Sequence, residues 1–189
     1  AENTANGQAT LFANTTGKQN TANGQAALYS NTTGIQNTAN GHAALRYNTT
    51  GNNNTANGVY ALFFNTTGGK NIGEGYYSGY YNQTGSSNTI IGSEAGYGSS
   101  GNSYSLNSLF GYRSGYSLTT GSNNTLLGAY AGNNITSGSN NIIIGNVTAP
   151  SPTANNQLNI GNLITGDMSA GNVGIGTTSP AYKLDVDGN

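Results

Sequence analysis

The feature that most constrains this chain is a fixed interval. Asn3, Asn20, Asn37, Asn54, Asn71 and Asn88 follow one another at 17 residues; one step of 19 reaches Asn107, and steps of 17 resume to Asn124 and Asn141. Four residues after each of these nine starts stands a glycine: Gly7, Gly24, Gly41, Gly58, Gly75, Gly92, Gly111, Gly128 and Gly145. Fourteen residues after most starts stands another: Gly17, Gly34, Gly51, Gly68, Gly85, Gly121 and Gly138. Self-similarity at a fixed period marks stacked structural repeats. The two extra residues of the sixth unit leave later units in phase, as expected of a loop on a solenoid.

Seventeen residues with two glycine corners cannot hold two ordinary helices. They can hold two short strands and two turns. Glycine reaches left-handed backbone angles without steric cost, and Asn tolerates them. The recurring "NTTG" therefore reads as one corner, and "NTxxG" as a short strand running into the other. The expected fold is all-β: a β-solenoid, or β-roll, of about nine 17-residue coils over residues 1–147. Coils stacked about 4.8 Å apart make a rod of roughly 40 Å. "TAPSP" at 148–152 reads as a Pro-containing linker, and 153–189 as a small β-rich C-terminal connector. So thin a coil encloses little, which predicts that several chains share the burial.

The units are not identical. The first four read "NTANG", placing Asn6, Asn23, Asn40 and Asn57 three residues after the start, with Leu11, Leu28, Leu45 and Leu62 five residues further on. Units six to eight carry Ile91, Phe110 and Leu127 in the first of these positions and Gly96, Gly115 and Gly132 in the second. Unit five, with Glu74 and Gly79, is the transition. Large-apolar and small exchange places, as a core of constant volume requires. The expectation is that early coils fill their core from the Leu column and later coils from the Ile91 position. The four Asn residues should stack in one partly solvated column.

Composition narrows function. Only 6% of residues are charged and the net charge is -1, against roughly 25% charged in ordinary domains. No basic stripe can track phosphates, so a nucleic-acid partner is not expected. There is no Cys, and no apolar run approaches the roughly 18 residues of a membrane span, so no membrane insertion is expected. His42 is the single histidine and shares its repeat position with Gln8, Gln25, Val59 and Tyr76. One His, no Cys and scattered acids assemble neither a catalytic triad nor a His-based metal site. No enzyme, cofactor or metal is expected.

Aromatic residues also keep the period. Phe12, Tyr29, Phe63, Tyr80, Tyr97 and Tyr116 share one position, with Arg46 and Asn133 as exceptions. The column reads either as a stacked ladder at a chain–chain contact or as a sugar-binding stripe. The stretch "YYSGYY" at 76–81 concentrates the candidates, and Tyr76, Tyr77, Tyr80, Tyr81, Tyr97 and Tyr116 are the expected ligand contacts. Sequons at Asn14, Asn31, Asn48, Asn65 and Asn82 coincide with the turn that already explains them. Repeated Thr and Asn also admit an ice-binding solenoid, although most Thr stand beside corner glycines.

The units "NTANGQAALYSNTTG" and "NNIIIGN" resemble the head repeats of trimeric autotransporter adhesins, the YadA-like β-roll, and the repeat arrays of phage tail fibres and large bacterial surface proteins. "GNVGIGTTSPAYKLDVDGN" (171–189) resembles the segment just upstream of the intramolecular chaperone domain of trimeric tail spikes. The resemblance implies a homotrimer in an extracellular, cell-surface or virion fibre, with a glycan or receptor as partner, and carries no catalytic residue across. A self-assembling structural filament subunit is the alternative.

Overall fold

The computed structural model describes residues 2–187. Nine strands of three residues recur once per coil: β1 (Thr4–Asn6), β2 (Thr21–Asn23), β3 (Thr38–Asn40), β4 (Thr55–Asn57), β5 (Ile72–Glu74), β6 (Thr89–Ile91), β7 (Ser108–Phe110), β8 (Thr125–Leu127) and β9 (Ile142–Ile144). Four follow: β10 (Gln157–Ile160), β11 (Ile164–Asp167), β12 (Asn172–Ile175) and β13 (Leu184–Val186). All thirteen lie in one sheet in chain order. Pairing is parallel and in register through β10, antiparallel from β10 to β12, and parallel between β12 and β13. The array is a β-solenoid of about nine coils.

Each coil has one strand where two were expected. The remainder is turn, held by backbone bonds to the residue just before the equivalent one in the next coil, such as Leu28 N–H to Ala44 O at 3.0 Å and Ser30 N–H to Arg46 O at 2.9 Å. In each of the first four coils three non-glycine positions take left-handed angles, as at Ala26 (φ 58°), Leu28 (φ 50°) and Gln36 (φ 58°); in units five to eight the middle one is glycine, as at Gly79 (φ 60°). Each costs roughly 1 kcal/mol for an L-residue, offset by hydrogen bonds repeated at every coil.

The two glycine columns exist for different reasons. At the first, Gly41 has φ +133°, and a Cβ there would stand 2.5 Å from Gly58 O. At the second the backbone is not left-handed. A Cβ on Gly34 would instead stand 2.3 Å from Asn31 Oδ1 and 2.6 Å from Gly51 O. Close approach of coil to coil, rather than a left-handed corner, demands glycine there.

The core corrects the sequence expectation by one residue. Side chains alternate along a strand, so a triplet turns its middle residue to one face and its outer two to the other. Ala22, Ala39 and Ala56 are fully buried, as are Ile90, Leu109, Leu126 and Ile143 in the same position. Ile91, Phe110 and Leu127 face outward, Leu127 at 48% exposure. Leu28, Leu45 and Leu62 are fully buried, and Leu11 packs against the same core. The exchange of volume therefore runs between the middle strand residue and the Leu position: Ala with Leu early, Ile or Leu with Gly late. A third inward position changes with them, from Asn31, Asn48 and Asn65 to Leu118 and Ile135.

Two Asn ladders run inside the array; one continues from Asn20 to Asn141, and the other replaces apolar volume in the early coils. The opening Asn residues from Asn20 to Asn141 are at most 1% exposed. Each uses both ends of its amide: Asn37 Nδ2 donates to Gly51 O at 2.8 Å, and its Oδ1 accepts the Asn54 backbone N–H at 2.9 Å. The "NTTG" Asn residues form the second ladder, Asn31 to Asn14, Asn48 to Asn31 and Asn65 to Asn48, each at 2.8 Å. Buried amides persist only when paired. These pairings leave no room for glycan on Asn31, Asn48, Asn65 or Asn82, all fully buried.

The joint between the two core plans lies at unit five, where Gly73 and Gly79 both lack side chains. Leu62 closes on both glycines and Ile90 on Gly79, while Tyr104, fully buried, lies against Gly79 and Gly96, and its hydroxyl donates to Gly96 O. A Cβ on Gly79 would lie 2.7 Å from Leu62 Cδ2 and 2.9 Å from Ile90 Cδ1. The longer sixth unit thus fills the core, where a tolerated surface loop was expected. Residues 148–152 likewise do not leave the coil as a linker would. Ala149 is 3% exposed, Pro152 O accepts Thr136 N–H at 2.9 Å, and Gln157 takes the place of an opening Asn, its N–H bonded to Asn141 Oδ1 at 2.8 Å.

Candidate binding face

Rings 17 residues apart in a solenoid of this period must meet, because the coils stack in register. The expected column is continuous on either side of Arg46. Phe12 stacks on Tyr29 at 5.2 Å, Phe63 on Tyr80 at 5.0 Å, Tyr80 on Tyr97 at 5.3 Å and Tyr97 on Tyr116 at 5.1 Å, all within 10° of parallel. Arg46 spans the gap with its guanidinium 5.5 Å from the Tyr29 ring and 5.7 Å from the Tyr47 ring, an arrangement that attracts a cation to the aromatic faces.

Two further columns flank it. Tyr60 stacks on Tyr77 at 5.1 Å, and Tyr47, Phe64 and Tyr81 stack in series at 5.3 and 5.2 Å. Rings of adjacent columns meet edge to face, Tyr77 with Tyr80 at 4.7 Å and Tyr80 with Tyr81 at 4.7 Å. All six expected contacts, Tyr76, Tyr77, Tyr80, Tyr81, Tyr97 and Tyr116, therefore belong to one continuous field. Tyr47 and Phe64 belong to it too and were missed, although 47, 64 and 81 differ by the repeat length. Of the six, Tyr76 is the most open, 48% exposed, with its ring 4.1 Å from that of Tyr77.

Stacking decides what the field offers a ligand. Within a column each ring covers its neighbour's face, so edges and phenol hydroxyls point outward, and Tyr76 alone of the group stands apart. Burial, reinforced by Tyr81, pushes the Tyr97 hydroxyl up to about 12, and burial also raises that of Tyr80. Tyr77 is raised chiefly by its hydrogen bond with Tyr76. All three are neutral donors at ordinary pH. The field ends at an ion pair, Arg113 Nε to Glu94 Oε2 at 2.7 Å, with the Arg113 guanidinium 5.1 Å from the Tyr116 ring.

The other columns lie elsewhere. Asn6, Asn23, Asn40 and Asn57 are in register on the outer face of the sheet. Asn23 Nδ2 donates to Asn40 Oδ1 and Asn40 Nδ2 to Asn57 Oδ1, both at 2.8 Å. Thr4, Thr21, Thr38 and Thr55 form the neighbouring outer column, on the flat sheet rather than beside the corners. Glu74 extends the Asn column, and Glu94 occupies a different coil position, where it pairs with Arg113. Among the described residues no group of three His, Asp or Glu is placed to hold a metal ion, and no helix is long and apolar enough to cross a membrane. Comparison with known protein families, curated proteins and solved structures finds no match to this chain.

Proposed function

We propose that the chain is a non-catalytic segment of an extracellular fibre or adhesin that presents its aromatic field to carbohydrate. The supporting observation is the field itself: three columns of rings locked against one another on a hydrogen-bonded frame. A ligand would find ring edges and phenol donors already in place, so little ordering entropy opposes binding. The open ring of Tyr76 supplies an apolar face for a sugar, and the neighbouring hydroxyls bond its edges. Presentation by three parallel copies would multiply a weak contact into a useful one. The resemblance to autotransporter heads and tail-fibre arrays supports both the trimer and the cell-surface or virion location.

The test is a glycan array probed with the purified chain and with a Tyr76→Ala/Tyr81→Ala double variant. Binding to a defined glycan class by the wild type, lost in the variant with the circular dichroism unchanged, is the expected result. A wild type that binds nothing and forms end-to-end polymers by negative-stain microscopy would replace the adhesin with a filament subunit.

A further inference from the structure

The outer face of the sheet changes character along the rod. The column that carries Asn from β1 to β4 passes through Glu74 and becomes Ile91, Phe110, Leu127 and Ile144, then Ile160 and Ile164. It runs on through β12 to Val186, which is 59% exposed. Beside it Ile142, Leu158, Val173 and Leu184 take over from Thr. None of these residues is needed by the core, which the middle column fills from the opposite face. A lone outward Leu means little, but an uninterrupted apolar file over eight strands is not scattered surface.

We infer that this face is where copies of the chain pack side by side, parallel and in register. The inference rests on the oligomeric fibre proposed above and names the surface that holds it together. The occupant must be apolar, straight, as long as the file, and matched to its strand spacing. A second copy meets every condition. Direction follows from chemistry. Parallel copies in register set Ile against Ile at one end, and at the other set Asn against Asn, where amides can bond across. Antiparallel copies would press the Asn column onto the apolar file and leave its amides unpaired. Thirteen strands at about 4.8 Å and two columns wide give roughly 600 Å² per chain. Three such faces meeting on one axis bury roughly 1,800 Å² in all, the size of a stable specific interface. Glu74 is the single charge in these two columns, and a parallel register brings its copies together.

Three variants test this by sedimentation equilibrium and native mass measurement of the full chain. Leu127→Asn/Ile144→Asn places in the late column the residue that already occupies it in β1–β4, so the coil tolerates it. Self-association is expected to weaken roughly 30-fold or more. Glu74→Gln removes like charges that only the parallel register juxtaposes, and is expected to tighten association several-fold, most at low salt. Tyr76→Ala/Tyr81→Ala should leave the oligomer intact. A monomeric wild type, an unchanged Leu127→Asn/Ile144→Asn oligomer, or dissociation by the tyrosine variant in place of the sheet variant overturns the assignment. An unchanged Glu74→Gln oligomer overturns the parallel register. Glycan binding is scored separately, so loss of either reading leaves the other standing.

Discussion

Asn37 and Asn40 sit in one coil, three residues apart, and truncating each to Ala should have very different effects. Asn37 is fully buried. Without its Oδ1 the backbone N–H of Asn54, also fully buried, loses its 2.9 Å acceptor and gains no water. An orphaned buried donor costs about 1–3 kcal/mol. Gly51 O loses the 2.8 Å bond from Asn37 but keeps that from Asn48 at 3.0 Å, and Asn54 Nδ2 keeps Gly68 O at 2.8 Å. These partial losses add roughly 1 kcal/mol. Asn37→Ala should therefore destabilise by roughly 3 kcal/mol. Asn40 loses two 2.8 Å amide bonds on a half-exposed face, where water takes over, and Asn40→Ala should cost no more than about 1 kcal/mol. Urea midpoints measure both, and hydrogen exchange at the Asn54 amide locates the damage. Two variants within about 0.5 kcal/mol of each other, or in reversed order, would refute the assignment of Asn37 to a buried structural ladder.

Three further outcomes follow from the core, the glycine columns and the tyrosines. Ala39→Ile should overpack the third coil by about 1–3 kcal/mol and Leu45→Gly should leave a cavity costing about 2–5 kcal/mol; together they recreate two of the three inward positions of the late plan, so the double variant should cost at least about 1 kcal/mol less than the sum, and strict additivity would count against volume exchange. Gly41→Ala, with its Cβ 2.5 Å from Gly58 O, should destabilise by at least about 2 kcal/mol, whereas Gly161→Ala, with nothing within 4 Å, should cost about 1 kcal/mol; equal melting temperatures would contradict the close approach. The neutral form of Tyr97 is favoured by folding, so its contribution is complete below the ordinary tyrosine value of about 10 and is lost as pH rises toward about 12; Tyr104, raised further by complete burial, should ionise only as its coil opens. Tyrosinate absorbance followed with circular dichroism should show that late phase coinciding with unfolding, and a single titration near the ordinary value with the fold intact would contradict it.

The period carried most of the architecture. Residues 17 apart must stack in register, which made the aromatic column, the Asn column and the Leu column legible before any coordinates. It could not say which way a column points. Two adjacent positions change together along the chain, Ala22 to Ile90 and Asn23 to Ile91, one inside and one outside. The louder contrast, Asn to Ile, drew attention to the outer one. Burial of the opening Asn residues was hidden for a similar reason, since an Asn suits a turn and an internal ladder equally well. Tyr104 was out of reach because it stands in the one segment that departs from the period, where no equivalent residue exists for comparison.

The ladders of the first four coils have a genealogical consequence. Each rung repeats the same donor, acceptor and spacing, so removing residues 21–37 would set Asn20 before Thr38 and restore every ladder contact across the cut. Duplication of the same stretch would be equally silent. This part of the chain is a ruler graduated in whole coils, able to lengthen or shorten through recombination between its copies. The splice at Tyr104 has no such freedom, because its ring fits one pair of glycines on one pair of neighbouring coils. Variation in length among descendants of this chain should therefore accumulate between Asn3 and Asn71 and stop short of the splice.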